Sequence, residues 1–202
     1  MFLIVLAGMP ASGKSTVAAK LAEAFSLPVL AKDELKESLF DTLGFSCYAE
    51  KRKLDHAANA VLLRAARALL KNGQSVILDN NFDEISARAL DGMLGEFGAR
   101  CVTVFFGGDN DAFYRRYVER DRLHLRHLGH VVQDHYPLRE GDSPDHDMTR
   151  EEFREKFEKR GMSEFRVRGA RIDIDATEPA AIDTAALIAR IREALSKQEE
   201  TQ

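Results

Sequence analysis

The opening residues constrain the fold more than any other part of the chain. An apolar run from Met1 to Ala7 leads straight into Gly8-Met-Pro-Ala-Ser-Gly13-Lys14-Ser15. The run has no residue suited to a wet face, so it reads as a strand buried on both sides. Val17, Leu21 and Phe25 then recur at helical spacing. A buried strand, a glycine loop and a helix in succession form a βα unit, and repetition of that unit builds a parallel sheet covered by helices.

The alternation continues along the chain. Pro28–Ala31 reads as a second strand, and Asp33–Leu43 as a helix stopped by Gly44. A long helix runs from about Glu50 to Asn72, holding Leu54, Ala58, Val61, Leu62, Ala65 and Leu69 on one face and closed by Gly73. Ser75–Asp79 is a third strand, Ile85 to Phe97 a helix, Cys101–Phe106 a fourth strand, and Asp109 caps a helix carrying Phe113 and Tyr117. From Arg122 to Arg150 the pattern breaks into a stretch rich in His, Asp, Gly and Pro, with a charged helix at Glu151–Arg160. Ala170–Asp175 is a fifth strand, followed by a last helix through Ile182, Leu187, Ile191 and Leu195 and a frayed tail from Lys197 to Gln202. The expectation is a single α/β domain over residues 1–202: a three-layer αβα sandwich on a five-stranded parallel sheet, with a lid or substrate insertion at about 122–165.

Composition narrows the partners. The 202 residues are 45% hydrophobic and 31% charged, with a net charge of -4. A soluble chain with no global attraction to nucleic acid or to an anionic membrane is expected. Cys47 and Cys101 match no metal-ligand spacing, which fits a reducing compartment, the cytoplasm. The apolar opening lacks the basic residues of a signal peptide, and no stretch approaches the ~20 apolar residues of a membrane span. Nothing in the residues specifies an oligomeric state.

Gly8-x-x-x-x-Gly13-Lys14-Ser15 matches a phosphate-cradling loop at every fixed position, and it lies between a strand and a helix, where such a loop must lie. Backbone N–H groups across Gly8, Ala11, Ser12, Gly13, Lys14, Ser15 and Thr16 can converge on phosphate oxygens at the positive end of the helix. Lys14 would reach the terminal phosphates of ATP, and Ser15 would offer its hydroxyl to Mg²⁺. Asp79, ending the strand Val-Ile-Leu-Asp, would hold Mg²⁺ beside Ser15; the alternative is a turn aspartate in Asp79-Asn80-Asn81. Asp33, just after the second strand, could accept the proton of an attacking hydroxyl, or could simply cap its helix. Lys36, three positions on, shares its face and could hold an anionic part of the acceptor.

Between residues 115 and 126, Arg115, Arg116, Arg120, Arg122 and Arg126 outnumber Glu119 and Asp121. Arg116 and Arg120 are four apart, a spacing that could clamp a transferring phosphoryl group; the alternative is a solvated helix face. His124, His127, His130, His135 and His146 crowd the irregular stretch. No cysteine accompanies them, so contacts with an acceptor, or exposure, are favoured over zinc.

These residues together resemble the small P-loop kinases, the group that includes polynucleotide 5′-hydroxyl kinase, chloramphenicol phosphotransferase and the zeta toxins. The likeness rests on Gly8–Thr16, on Lys32-Asp33-Glu34-Leu35-Lys36, on Ile77-Leu78-Asp79-Asn80-Asn81, and on Arg116-x-x-x-Arg120 with Arg126-His127-Leu128-Gly129-His130. It implies Asp33 as general base, Arg120 as the arginine on the transferred phosphate, and Lys36 as counterpart of an acceptor-phosphate-binding arginine. Asn80 stands where a small hydroxyl is usual. The expected activity is ATP- and Mg²⁺-dependent phosphoryl transfer to a hydroxyl of a small molecule. The acidic remainder of the chain argues against a nucleic-acid acceptor without excluding it. A nucleotide-sugar kinase of the toxin kind and a non-kinase nucleotide switch are the alternatives, and a switch has no need of a base at Asp33.

Overall fold

The computed structural model describes residues 1–202 except 143, 145–147, 160, 163 and 201–202. His146 and part of the acidic run Gly141–Asp147 lie outside the described residues, as do the end of the helix expected at 151–160 and the last two residues of the tail.

Strands β1 (Phe2–Gly8), β2 (Val29–Ala31), β3 (Val76–Asp79), β4 (Arg100–Gly107) and β5 (Ala170–Asp175) form one sheet in the order β2-β3-β1-β4-β5. Every pairing is parallel, with Leu6 opposite both Asp79 and Val104. Side chains of β1 alternate across the sheet, so that Ile4 and Leu6 enter one core while Leu3, Val5 and Ala7 enter the other. The first core is covered by α1 (Lys14–Phe25), α5 (Asn110–Arg122), α7 (Arg150–Glu158) and α8 (Thr184–Glu199). The second is covered by α3 (Tyr48–Lys71) and α4 (Glu84–Phe97). The architecture is the expected αβα sandwich on a five-stranded parallel sheet. No helix among the described residues is long and apolar enough to cross a membrane.

Boundaries differ from expectation where tertiary contacts act. The last helix starts at Thr184, capped by Asp183, so Ile182 precedes it. Its end is helical to Glu199 rather than frayed from Lys197, because Gln198 bonds the backbone N–H and C=O of Cys101 and Glu199 pairs with Arg100 at 2.7 Å.

The stretch after α5 holds a four-residue helix, α6 (Leu128–Val131), and is fastened to α2 (Lys32–Leu43) and the α2–α3 turn. Phe45 and Tyr136 exchange N–H···O bonds of 2.8 Å. Phe40, Phe45 and Val132 form a small apolar cluster of their own, with Tyr136 and Leu138 packed against it. A Cβ on Gly129 would lie 2.4 Å from Cδ2 of Phe40, so only glycine permits this approach.

Candidate active site

The loop after β1 is shaped by its own backbone. Gly8 takes φ 128°, and a Cβ there would lie 2.3 Å from the carbonyl oxygen of Phe106. Ala11 (φ 58°) and Gly13 (φ 85°) are left-handed, an alternation that turns successive N–H groups toward one point at the start of α1. Ser12 and Lys14 are buried, while Ser15 and Thr16 are open to the cleft. Lys14 Nζ donates to the carbonyls of Gly8 (3.2 Å) and Met9 (2.6 Å) and to Ser12 Oγ (3.4 Å). Burial pulls its pKa down to about 8 against the raising influence of Asp79 and Asp33. An arriving phosphate would restore the full charge.

Ser15 Oγ donates to Asp79 Oδ2 at 2.7 Å. Burial pushes the Asp79 carboxyl above its ordinary range, with Asp33 and Glu34 adding to the rise and Lys14 and Ser15 opposing it. A hydroxyl and a carboxylate, both hard oxygen donors, meet beside the anion loop. That set fits Mg²⁺, which takes few protein ligands and completes its shell with phosphate and water.

Two adjoining cavities open at this end of the sheet. The smaller, about 290 Å³, is lined by Pro10–Thr16, Asp79 and α2 residues. The larger, about 460 Å³, extends between α2, α3, α5 and α7. Both are lined by Asp33, Asn80, Asn81, Arg120, Arg126 and His130. The larger carries seven Lys and Arg (Lys32, Lys36, Lys51, Arg52, Arg120, Arg126 and Lys156) against Asp33, Asp55 and Asp83. It is a basic chamber in an acidic chain.

Asp33 sits in the first turn of α2, whose cap position is Ala31, so the carboxylate is not spent on capping. Its surface is open to the cleft. Desolvation raises its pKa, but the field of His130, Lys36, Arg126 and Lys32 outweighs that and holds it below the usual carboxylate range. It is ionised at neutral pH.

Arg120 and Arg116, expected to project together, part company. Arg120 lines both cavities, and its buried Nε has no hydrogen-bond partner among the described residues. Arg116 lines neither: Nε donates to Ala11 O (2.9 Å), and its two terminal nitrogens donate to the carbonyls of Thr177 (2.6 Å) and Ala176 (3.0 Å). It ties the anion loop to the segment after β5, where Pro179 packs on Gly13. Lys36 lines the larger cavity, paired with Asp55 at 3.0 Å; Lys32 pairs with the same carboxylate.

The profile of the AAA domain family matches residues 3–130. The chain belongs to this family of small P-loop kinases. A cytidylate kinase of Pyrobaculum calidifontis is 28% identical over 138 residues, covering 62% of this chain and 72% of that protein. Among solved structures, a protein of Chloroflexus aurantiacus provisionally described as a kinase is similar over 96% of this chain and 97% of its own, with TM-score 0.77 and 26% identity. A shikimate kinase of Bacteroides thetaiotaomicron aligns over 96% of this chain and 98% of its own at TM-score 0.54 and 17% identity, a likeness of fold.

In this P-loop kinase the cleft also gathers residues for which no role of their own was expected from the sequence. Arg126 is held by Asp121 (3.0 Å) over the Tyr117 ring. Lys51 looks like one more surface lysine of a long helix, yet it is buried, and Nζ donates to the carbonyls of His130 (3.0 Å) and Val132. Burial, with Lys36, Arg126 and Lys156 adding to it, pulls its pKa down to about 7. Asn81 Oδ1 is buried and has no hydrogen-bond partner among the described residues. Of the histidines, His127 contacts Asp41 (2.9 Å), His135 bridges Asp134 and Asp142, His56 lines the larger cavity, and His130 lines both cavities. The Arg126–His130 run in the family likeness was the available signal for two of these.

Proposed function

We propose that the protein is an ATP- and Mg²⁺-dependent phosphotransferase that moves the γ-phosphoryl group to a hydroxyl of a small, anionic acceptor. The observation that carries this reading is the ionised, uncapped carboxylate of Asp33 at the junction of the two cavities. A hydroxyl entering from the larger cavity would give its proton to Asp33 as its oxygen bonds to the γ-phosphorus, while the bond to the β-phosphate oxygen breaks and ADP leaves. Lys14 and Arg120 would neutralise charge on the transferring group; the orphaned Arg120 Nε is a donor in want of an acceptor. Ser15 and Asp79 would hold Mg²⁺, which shields the nucleotide phosphates. Arg116, bound to three carbonyls, would act by holding the loop in shape. The insertion at 122–165 would close the acceptor side of a single domain.

The basic chamber supports an anionic acceptor, since its lining carries seven Lys and Arg beside Asp33, Asp55 and Asp83. A second reading, a nucleoside monophosphate acceptor, takes support from the cytidylate kinase likeness. An ionised Asp33 disfavours it, because a phosphate nucleophile needs no base and would be repelled by one.

The test is ATP turnover with a panel of sugar phosphates, hydroxy acids, neutral polyols and cytidine monophosphate, read by the mass of the acceptor. A gain of one phosphoryl group on an anionic alcohol is expected. Phosphorylation of the monophosphate alone would replace this reading with the second, and no product from any hydroxyl compound would remove it.

A further inference from the structure

Asp33 and Glu37 lie one turn apart on α2 and so share a face. The imidazole of His130 is set beside that face with Nε2 2.9 Å from Glu37 Oε1 and its ring edge-on to Phe40 at 5.5 Å. Its side chain is only 2% exposed, yet it lines both cavities together with Asp33. Its backbone is equally constrained. Lys51 grips the carbonyls on either side of the short helix end, and Gly129 lies against Phe40. Five contacts from two distant helices thus hold one imidazole in one place, beside the carboxylate the reaction depends on.

We propose that His130 is a positioning residue for phosphoryl transfer: anchored to Glu37 as a neutral imidazole, it leaves the Asp33 carboxylate free to receive the acceptor's proton, and when it takes a proton itself it withdraws that carboxylate. The proposal rests on the reading of Asp33 as base.

The groups facing the ring decide when it charges. From α2 these are Asp33, Glu37 and Lys36, from α3 Lys51, from α5 Arg120, and from its own segment Arg126 and His127. Burial has the largest influence and lowers its pKa, Glu37 and Asp33 raise it, and Arg126 and Lys36 lower it, for a net position below the ordinary histidine value. The ring is neutral at pH 7, its Nε2–H donated to the Glu37 carboxylate. As pH falls the ring takes the proton first, because Asp33 is held below the ordinary carboxylate range and His130 heads the groups that hold it there. A carboxylate facing an imidazolium is a poorer base. The acid limb of the rate then belongs to the ring and not to Asp33.

The experiment is NMR of the full-length protein with labelled histidines between pH 5 and 8, joined to the pH dependence of Mg·ATP hydrolysis with water as acceptor. The His130 signal is identified by its loss in His130→Gln, or, should that variant fail to fold, as the resonance moved by Glu37→Gln, whose carboxylate is the partner of its ring. Its midpoint is expected below ~6.5 and should fall by about half a pH unit or more in Asp33→Asn and in Glu37→Gln, each of which removes an anion favouring the imidazolium. In wild type the hydrolysis rate should drop through that same midpoint, and in His130→Gln the limb should move to lower pH. A histidine midpoint unmoved by Asp33→Asn overturns the proposal, as does an acid limb unchanged in folded His130→Gln, for a purely packing role would lower only the melting temperature. Coupling and a shifted limb in a protein that phosphorylates no hydroxyl compound would remove the kinase reading and leave the action of His130 on Asp33 intact.

Discussion

The loop Gly8–Ser15 and the segment His127–Pro137 both line the cleft, and they reach their shapes by opposite routes. The loop is defined by backbone angles at Gly8, Ala11 and Gly13 and by a lysine folded onto carbonyls five and six residues before it. The segment has no regular structure beyond four helical residues. Its form comes from Glu37, Asp41, Phe45 and Lys51, partners some eighty to ninety positions earlier. A site element encoded locally survives as a motif; one encoded by distant contacts leaves only scattered polar residues and a glycine. The contrast also bears on motion. The segment falls in the stretch expected to be a lid or substrate insertion; it is stapled to α2 and the start of α3, so any closure would carry Asp33, Lys36 and His130 along with it.

Substitutions on the loop side should show the largest effects. Lys14→Ala should reduce turnover by about 10³ or more, measured with any acceptor found in the panel, because the charge on the terminal phosphates loses its nearest cation. Normal turnover in a folded Lys14→Ala protein would end the comparison, since the loop would then have no chemical role.

Next come the two residues at the junction. Asp33→Asn should lower kcat by about 10²–10⁴ with nucleotide affinity and melting temperature little changed, since Ala31 and not Asp33 occupies the cap of α2. Weak nucleotide binding in that variant would relocate Asp33 to the loop side. Arg120→Ala should lower kcat by a factor approaching ~10³, whereas Arg116→Ala should act mainly on nucleotide affinity and thermal stability. Equal kcat losses for the two arginines would show that Arg116 leaves its three carbonyls when substrates bind.

Gly129→Ala tests the distant-contact wall directly. The added Cβ meets the Phe40 ring, so a stability loss of about 1–3 kcal/mol is expected by urea denaturation, with KM for the acceptor raised and Kd for nucleotide unchanged. A matching rise in nucleotide Kd would mean that the two walls are one mechanical unit.

The last effect is on pH stability. Lys14 and Lys51 have folded pKa values of about 8 and about 7, both below the ordinary lysine value of 10.5. The unfolded chain therefore binds more protons between these values and pH 10.5, and ligand-free stability should rise with pH across that window. Lys51→Met should flatten the rise from pH 7 upward, and a slope identical to wild type would place the Lys51 ammonium in water.

How much of this was legible follows the same division. The five strands and the two-sided core could be read because β1 and β3 carry no wet face and helices alternate with strands at the expected lengths. Gly8, Gly13, Lys14 and Ser15 could be read from their spacing between a strand and a helix, and Asp79 from its place at the end of a strand. Asp33 could be placed at the sheet edge, though its freedom from capping could not. Lys51 was illegible: a helix pattern marks apolar faces, and a lysine among Arg52 and Lys53 carries no sign that it is the one turned inward. The split between Arg116 and Arg120 was hidden for a similar reason. Four-residue spacing puts both on one helix face, but only the packing of the segment after β5 brings three carbonyls within reach of the first.

By itself, then, the order of residues determined the sheet and the anion loop, both of which depend on near neighbours and on periodic burial. The tertiary structure decided which cations face the cleft, which are tied to carbonyls, and that His130 stands beside Asp33. Those outcomes depend on which long-range partner each polar group finds once water is excluded, and burial makes the choice of partner compulsory.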